Sequence, residues 1–166
     1  MMSREWRTLP PHLRETIEAH QELAPVKLST IAQALGVRLK ASTLPAGISG
    51  EIRPDGESPS GFTVRVNRHD SARRQRFTIA HELSHFLLHR DQIGDGITDD
   101  VLYRSSISDA REAQANRLAA DLLMPQPLVD EWLDRARILG VEDIPGYLAD
   151  QFEVSEAAVK IRLGLS

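Results

Sequence analysis

The sequence predicts an α+β fold: a small twisted sheet packed on two long helices, followed by a helical, helix-turn-helix-like extension. Three observations predict it. Arg76 to His89 and Asp109 to Met124 carry apolar residues at helical spacing with no breaker inside. Between residues 37 and 67, short period-two stretches are separated by Pro, Gly and Ser. After Pro125 and Pro127 the pattern is helical. The expected division is a core over 1–125, including an N-terminal helix, and an extension over 126–166.

Residues 11 to 23 read as an amphipathic docking helix with Leu13, Ile17 and Leu23 on one face, ended by Pro25. A second helix is expected within the run Leu28 to Val37, with Ser29 as N-cap and Gly36 as C-cap. Val37 to Lys40 then alternates as a strand, which argues against a DNA-reading helix-turn-helix at this point. Ile48 to Ile52 is a short strand, and Pro54-Asp55-Gly56 signals a turn. Phe62, Thr63, Val64, Arg65, Val66 and Asn67 alternate cleanly, so a hairpin is expected to feed the helix that follows. This strand is the expected sheet edge, where a substrate peptide would add by main-chain hydrogen bonds. Arg65, Arg68, Arg73, Arg74 and Arg76 form a basic cluster that reads as solvated surface.

The run Arg76-Phe77-Thr78-Ile79-Ala80-His81-Glu82-Leu83-Ser84-His85-Phe86-Leu87-Leu88-His89 contains His-Glu-x-x-His. On a helix, His81 and His85 stand about 40° apart, one turn above the other. Two imidazoles so placed can ligate one zinc ion, and Glu82 is within reach of a water on the same metal. Ile79, Ala80, Leu83, Phe86 and Leu87 form the opposite, core-facing stripe. A core helix with incidental histidines would show the stripe but has no use for the motif. A third ligand is needed. His89 lies two turns from His81, roughly 12 Å along a straight axis, too far to share one ion. It suits the C-terminal end of the helix, where positive charge meets the dipole.

Residues 90 to 108 are loop-like. Asp91, Asp95, Asp99 and Asp100 lie in or near them, where one carboxylate could compete for the metal. The better third ligand is Glu112. In the helix from Asp109, it shares a face with Ala115, Asn116, Ala119 and Leu123, whose small residues admit a neighbouring helix closely. A capping-box-like pair of Asp109 and Glu112 would also explain a Glu here, but not its small, apolar company.

Leu128 to Leu139 forms a further helix with Val129, Trp132, Leu133 and Ala136 inward, closed by Gly140. Leu148 to Leu163 has helix-turn-helix spacing, with Glu153 where such turns often use Gly. Its second helix offers Lys160 and Arg162 against Glu156, with Asp150 and Glu153 nearby. That balance grips phosphates poorly, so a structural or partner-docking role is expected over DNA contact.

Net charge is −4, which argues against a global nucleic-acid-binding surface. No cysteine is present among 166 residues, which excludes disulfides and thiolate metal sites and fits a reducing compartment. No apolar run of membrane-spanning length and no secretory core stand in the sequence, so a cytoplasmic protein without membrane contact is expected.

Together, the run Arg76 to His89 and the later Glu112-Ala113-Gln114-Ala115-Asn116-Arg117-Leu118-Ala119-Ala120-Asp121-Leu122-Leu123-Met124-Pro125 resemble the ImmA/IrrE family of zinc metallopeptidases. The resemblance covers roughly residues 25 to 125. It implies a minimal zincin-like metallopeptidase core with Zn2+ on His81, His85 and Glu112, and Glu82 as the catalytic base. Asn116, one turn from Glu112, would orient a ligand. The resemblance further implies an endopeptidase acting on a specific partner, a helix-turn-helix repressor encoded nearby, in a stress or mobile-element response. The competing expectation is a non-catalytic regulator or toxin–antitoxin component that binds a repressor or DNA through its C-terminal helices. An intact Glu82 argues for catalysis, since a purely structural metal needs no base.

Overall fold

The computed structural model describes residues 1–100 and 109–165. Two short helices, α1 (Arg4–Thr8) and α2 (Pro11–Glu18), precede α3 (Leu28–Leu35). α1 buries Trp6 and is capped by Ser3, whose Oγ accepts from the Trp6 N–H. α2 stops short of the expected end. Ile17 is fully buried, but Leu23 lies beyond the helix and is 79% exposed, so it is not part of the inner face. α3 starts two residues earlier than a Ser29 cap would give. Leu28 is buried and is drawn into the first turn, which places Lys27, not Ser29, at the cap. Gly36 closes α3 in the left-handed conformation, at φ 76°.

The sheet holds β1 (Arg38–Ser42), β2 (Ile48–Pro54), β3 (Phe62–Asn67) and β4 (Ile97–Asp100), in the order β1-β3-β2-β4. β2 and β3 form the expected antiparallel hairpin, with Ile52 opposite Val64. β1 runs parallel to β3, with Leu39 opposite Val64. β4 pairs antiparallel with the other side of β2, with Ile97 opposite Ile52. β3 is therefore an interior strand, and the expectation that Phe62 to Asn67 form an edge is corrected. Both of its backbone edges are taken, because its alternation puts Val64 and Val66 into the core and the sheet closes around them. The outer edges among the described strands belong to β1 and β4.

α4 (Ala72–Leu88) packs against β2 and β3 and against α5 (Asp109–Leu123). Ser71 caps α4 by accepting from the Arg74 N–H. Gly50 on β2 permits the close approach of this helix. A Cβ there would stand 2.4 Å from the Thr78 methyl and 3.1 Å from the Arg65 carbonyl oxygen. Beyond α5 lie α6 (Gln126–Leu139), closed by left-handed Gly140, then α7 (Ile144–Phe152) and α8 (Glu156–Arg162). Glu153 sits at φ 54° between α7 and α8, the position where the sequence lacks the customary Gly.

One hydrophobic core runs through these layers. Ile17 and Ile31 meet Ile52 and Val64 of the sheet, Leu83 and Phe86 of α4, and Leu118 and Leu122 of α5. Leu128, Leu148, Phe152 and Val159 of the C-terminal helices belong to the same cluster. Buried polar ties reinforce it. Arg162 donates to the Asp121 carboxylate at 2.8 Å and to the Met124 carbonyl, and Ser3 also donates to Asp121. Among the described residues, no helix is long and apolar enough to cross a membrane.

Candidate metal centre

α4 and α5 face each other through small residues. Ala115 and Ala119, on the face of α5 that carries Glu112, are fully buried, and their size allows the backbones close together. This brings Glu112 onto the histidine pair. The His85 Nε2 lies 2.8 Å from Glu112 Oε1, and the His81 Nε2 lies 3.0 Å from Glu112 Oε2. The two Nε2 atoms are 3.2 Å apart. The spacing-based expectation for His81, His85 and Glu112 thus corresponds to one cluster in space.

A fourth group joins it. Asp99 of β4 places Oδ2 at 3.5 Å from His81 Nε2 and 4.0 Å from His85 Nε2. One ligand atom from each of His81, His85, Asp99 and Glu112 lies within 4.8 Å of the others, and all four residues are buried. Sequence reasoning held Asp99 only as one of four carboxylates in a loop. The usable signal was the step from Ile97 to Asp99. If Ile97 faces the core in a strand, Asp99 shares that face. A β-bulge sets its aim: β2 pairs Gly50 with Asp99 and Ile48 with Asp100, leaving Ser49 as the extra residue. Residues 101–108, the rest of the expected loop, lie outside the described residues.

Hydrogen bonds behind the histidines fix which nitrogen faces the cluster. Asn116 Oδ1 accepts from His81 Nδ1 at 2.8 Å, so Nδ1 holds a proton and Nε2 is directed at the carboxylates. This is the orienting position expected for Asn116. On the other side, His89 Nε2 donates to Gln114 Oε1 at 2.8 Å. A neutral His89 then presents a lone pair at Nδ1, which accepts from His85 Nδ1 at 2.9 Å. The His85 Nε2 is thereby also left facing the cluster. His89 is the C-cap residue of α4, outside the ligand cluster, and links His85 to Gln114 of α5.

Burial opposes charge on His81, but Asp99 and Glu112 beside it override that cost, and its pKa is pushed up to about 9. Burial lowers that of His85 despite its bond to Glu112. Without a metal, one imidazolium meets two carboxylates. Glu82 adds a third buried carboxylate, fully enclosed, with neither oxygen hydrogen-bonded among the described residues. Such a concentration of buried negative charge is costly unless a cation offsets it. Two imidazole nitrogens and two carboxylates make a donor set that suits a divalent transition metal. The residues present therefore fit a divalent metal.

A groove of about 540 Å³ adjoins the site, lined by Phe77, Asn116, Arg74, Val154, Ala158 and Ile161 among others. Phe77 stacks on the His81 ring at 6.3 Å, so the groove wall and the cluster share residues.

The profile of the IrrE N-terminal-like domain, a peptidase family, matches residues 26–164. The chain belongs to this metallopeptidase family. It is 37% identical over 86 residues to the radiation response metalloprotease IrrE of Deinococcus radiodurans, covering 46% of the chain and 24% of that relative. It is 35% identical over 96 residues to the protein of the same name in Deinococcus deserti, covering 54% of the chain and 34% of that relative. The chain thus spans about a quarter to a third of the length of these curated relatives.

Proposed function

We propose that the chain is a zinc-dependent endopeptidase that hydrolyses a peptide bond in a specific protein partner. The observation that carries this reading is the buried trio of His81, His85 and Glu112 with Glu82 one residue from the first ligand. His81 and His85 would hold the ion through Nε2, and Glu112 through its carboxylate. A bound zinc ion supplies Lewis acidity, polarising a carbonyl and bringing the pKa of water to about 7. Glu82 takes the proton of the attacking water on a carboxylate oxygen and delivers it to the leaving amine nitrogen. Its burial keeps bulk water from competing for that proton. Asn116 holds the His81 ring in place, and His89 with Gln114 does so for His85.

With β3 enclosed, the substrate strand is assigned to the outer edge of β4, the described strand edge that carries a residue of the cluster. The partner is a helix-turn-helix repressor, and the relatives' name, radiation response metalloprotease, favours a stress response. The competing regulator reading draws on the α7–α8 arrangement. Against it, the Arg162 side chain is 8% exposed and bound to Asp121, which leaves Lys160 among Glu153 and Glu156 as a weak grip on phosphate.

A Glu82→Gln variant tests the reading. It is expected to bind metal and partner as the wild type does while losing cleavage by several orders of magnitude. Full retained cleavage would remove Glu82 from the mechanism.

A further inference from the structure

We infer that Asp99 is a fourth protein ligand to the metal, so that the resting site is closed, with no position left for an outside ligand. This rests on the zinc reading of the cluster and goes beyond its three-ligand form. Zinc bonds of about 2.0–2.2 Å give a tetrahedron whose ligand atoms are about 3.4 Å apart. The separations in the cluster are 2.8 and 3.0 Å from the two Glu112 oxygens to the His85 and His81 Nε2 atoms, 3.2 Å between those nitrogens, and 3.5 and 4.0 Å from Asp99 to His81 and His85. Asp99 lies somewhat farther from both histidines than Glu112 does, yet its ligand atom is within 4.8 Å of the other three, near enough to serve as a fourth ligand.

Charge and construction agree with the distances. Two neutral imidazoles, two carboxylates and a dication sum to zero within the ligand set, beside the buried Glu82 carboxylate. Asp99 is delivered by a strand rather than a loop tip. Ile97 anchors the strand in the core, and the bulge at Ser49 sets the register that points the next inward residue at the histidines. Glu112 is fixed on α5 and the histidines on α4. Asp99 alone comes from the sheet. With a metal bound, Asp99 would have to yield its place to an oxygen of the substrate or of water before cleavage.

The test uses purified chain loaded with one equivalent of cobalt(II) or zinc, in the wild type, Asp99→Ala, Asp99→Asn and Glu112→Ala. Metal affinity is read by chelator competition, and access to the ion by the change in the cobalt visible spectrum on adding azide. The expected result is that Asp99→Ala and Asp99→Asn lose affinity by roughly a hundredfold. The wild-type spectrum is expected to be insensitive to azide, and that of Asp99→Ala to respond. Wild-type affinity in both Asp99 variants, or an azide response as strong in the wild type, would overturn the fourth ligand. If affinity still falls in Glu112→Ala, the three-ligand site survives that outcome. If the wild type binds no metal, or Glu112→Ala binds as well as the wild type, the zinc reading itself falls and takes this inference with it. Asp99→Asn, close to isosteric, separates ligand loss from misfolding.

Discussion

Each imidazole of the pair His81 and His85 is held by a hydrogen bond to a residue outside the four-residue cluster. The His85–His89–Gln114 chain does this with three side chains from two helices, and its direction follows from donor and acceptor counting alone. Removing the imidazole of His89 leaves His85 Nδ1 without its acceptor and its ring free to turn. His89→Ala is expected to weaken metal binding by about 10–100-fold, measured by chelator competition, with little change in the circular dichroism of the folded chain. Gln114→Ala should produce a smaller loss in the same direction. Unchanged affinity in both variants would mean that packing, not this chain of bonds, orients His85.

The elements of the site meet because small residues let them. α5 presents buried Ala115 and Ala119 on the face that carries Glu112, and α4 approaches β2 at Gly50. The Glu82 Cγ lies 3.7 Å from where a Cβ of residue 50 would be, so this contact also positions Glu82. A Gly50→Ala substitution must push α4 off the sheet or turn Thr78 aside. The expected cost is about 1–3 kcal/mol of stability by denaturant unfolding, with weaker metal binding because β2 also registers β4 and Asp99. Full stability and full metal affinity would show that the helix can shift at no expense. Glu153 presents the opposite case, a side chain accepted in left-handed backbone because Arg76 donates to its carbonyl and approaches its carboxylate.

Across the whole molecule, distant ends of the chain are fastened to α5. Arg117 pairs with buried Glu5 of α1 at 2.6 Å, and Arg162 of α8 pairs with buried Asp121 at 2.8 Å. For Glu5, burial alone would raise the pKa, but the Arg117 hydrogen bond and charge override it and hold the carboxylate below its ordinary value of 4.5. A carboxylate with a depressed folded pKa contributes stability that is fully present above the unfolded value. That contribution is lost as pH falls through the folded value. Glu5→Gln is therefore expected to be less stable than the wild type at pH 7, with the gap narrowing below about pH 4.5. Chemical unfolding at a series of pH values checks this, and a gap constant down to pH 3 would remove charge from the account. In the same frame, the C-terminal helices share the hydrophobic core with α4 and α5, and Arg162 ties α8 to Asp121 of α5.

By itself the sequence determined the features whose causes lie within one element. Helical spacing placed His81, Glu82 and His85 together, and the face shared by Glu112 with Ala115, Asn116 and Ala119 marked the partner helix. The period of 62–67 gave a strand with the observed bounds. What only the tertiary structure decided depends on pairing between segments. Alternation says that a strand has an inner face but not which neighbours take its two edges, so β3 proved interior. A four-residue strand between glycines and acidic residues carries too little local signal, so β4 and the choice of Asp99 among four aspartates came only with its register against β2. His89 reads as a helix end in sequence, and its bonds to His85 and Gln114 exist because α5 lies alongside. Local periodicity fixes which way a side chain points. Only the packing of one segment on another fixes what it meets there.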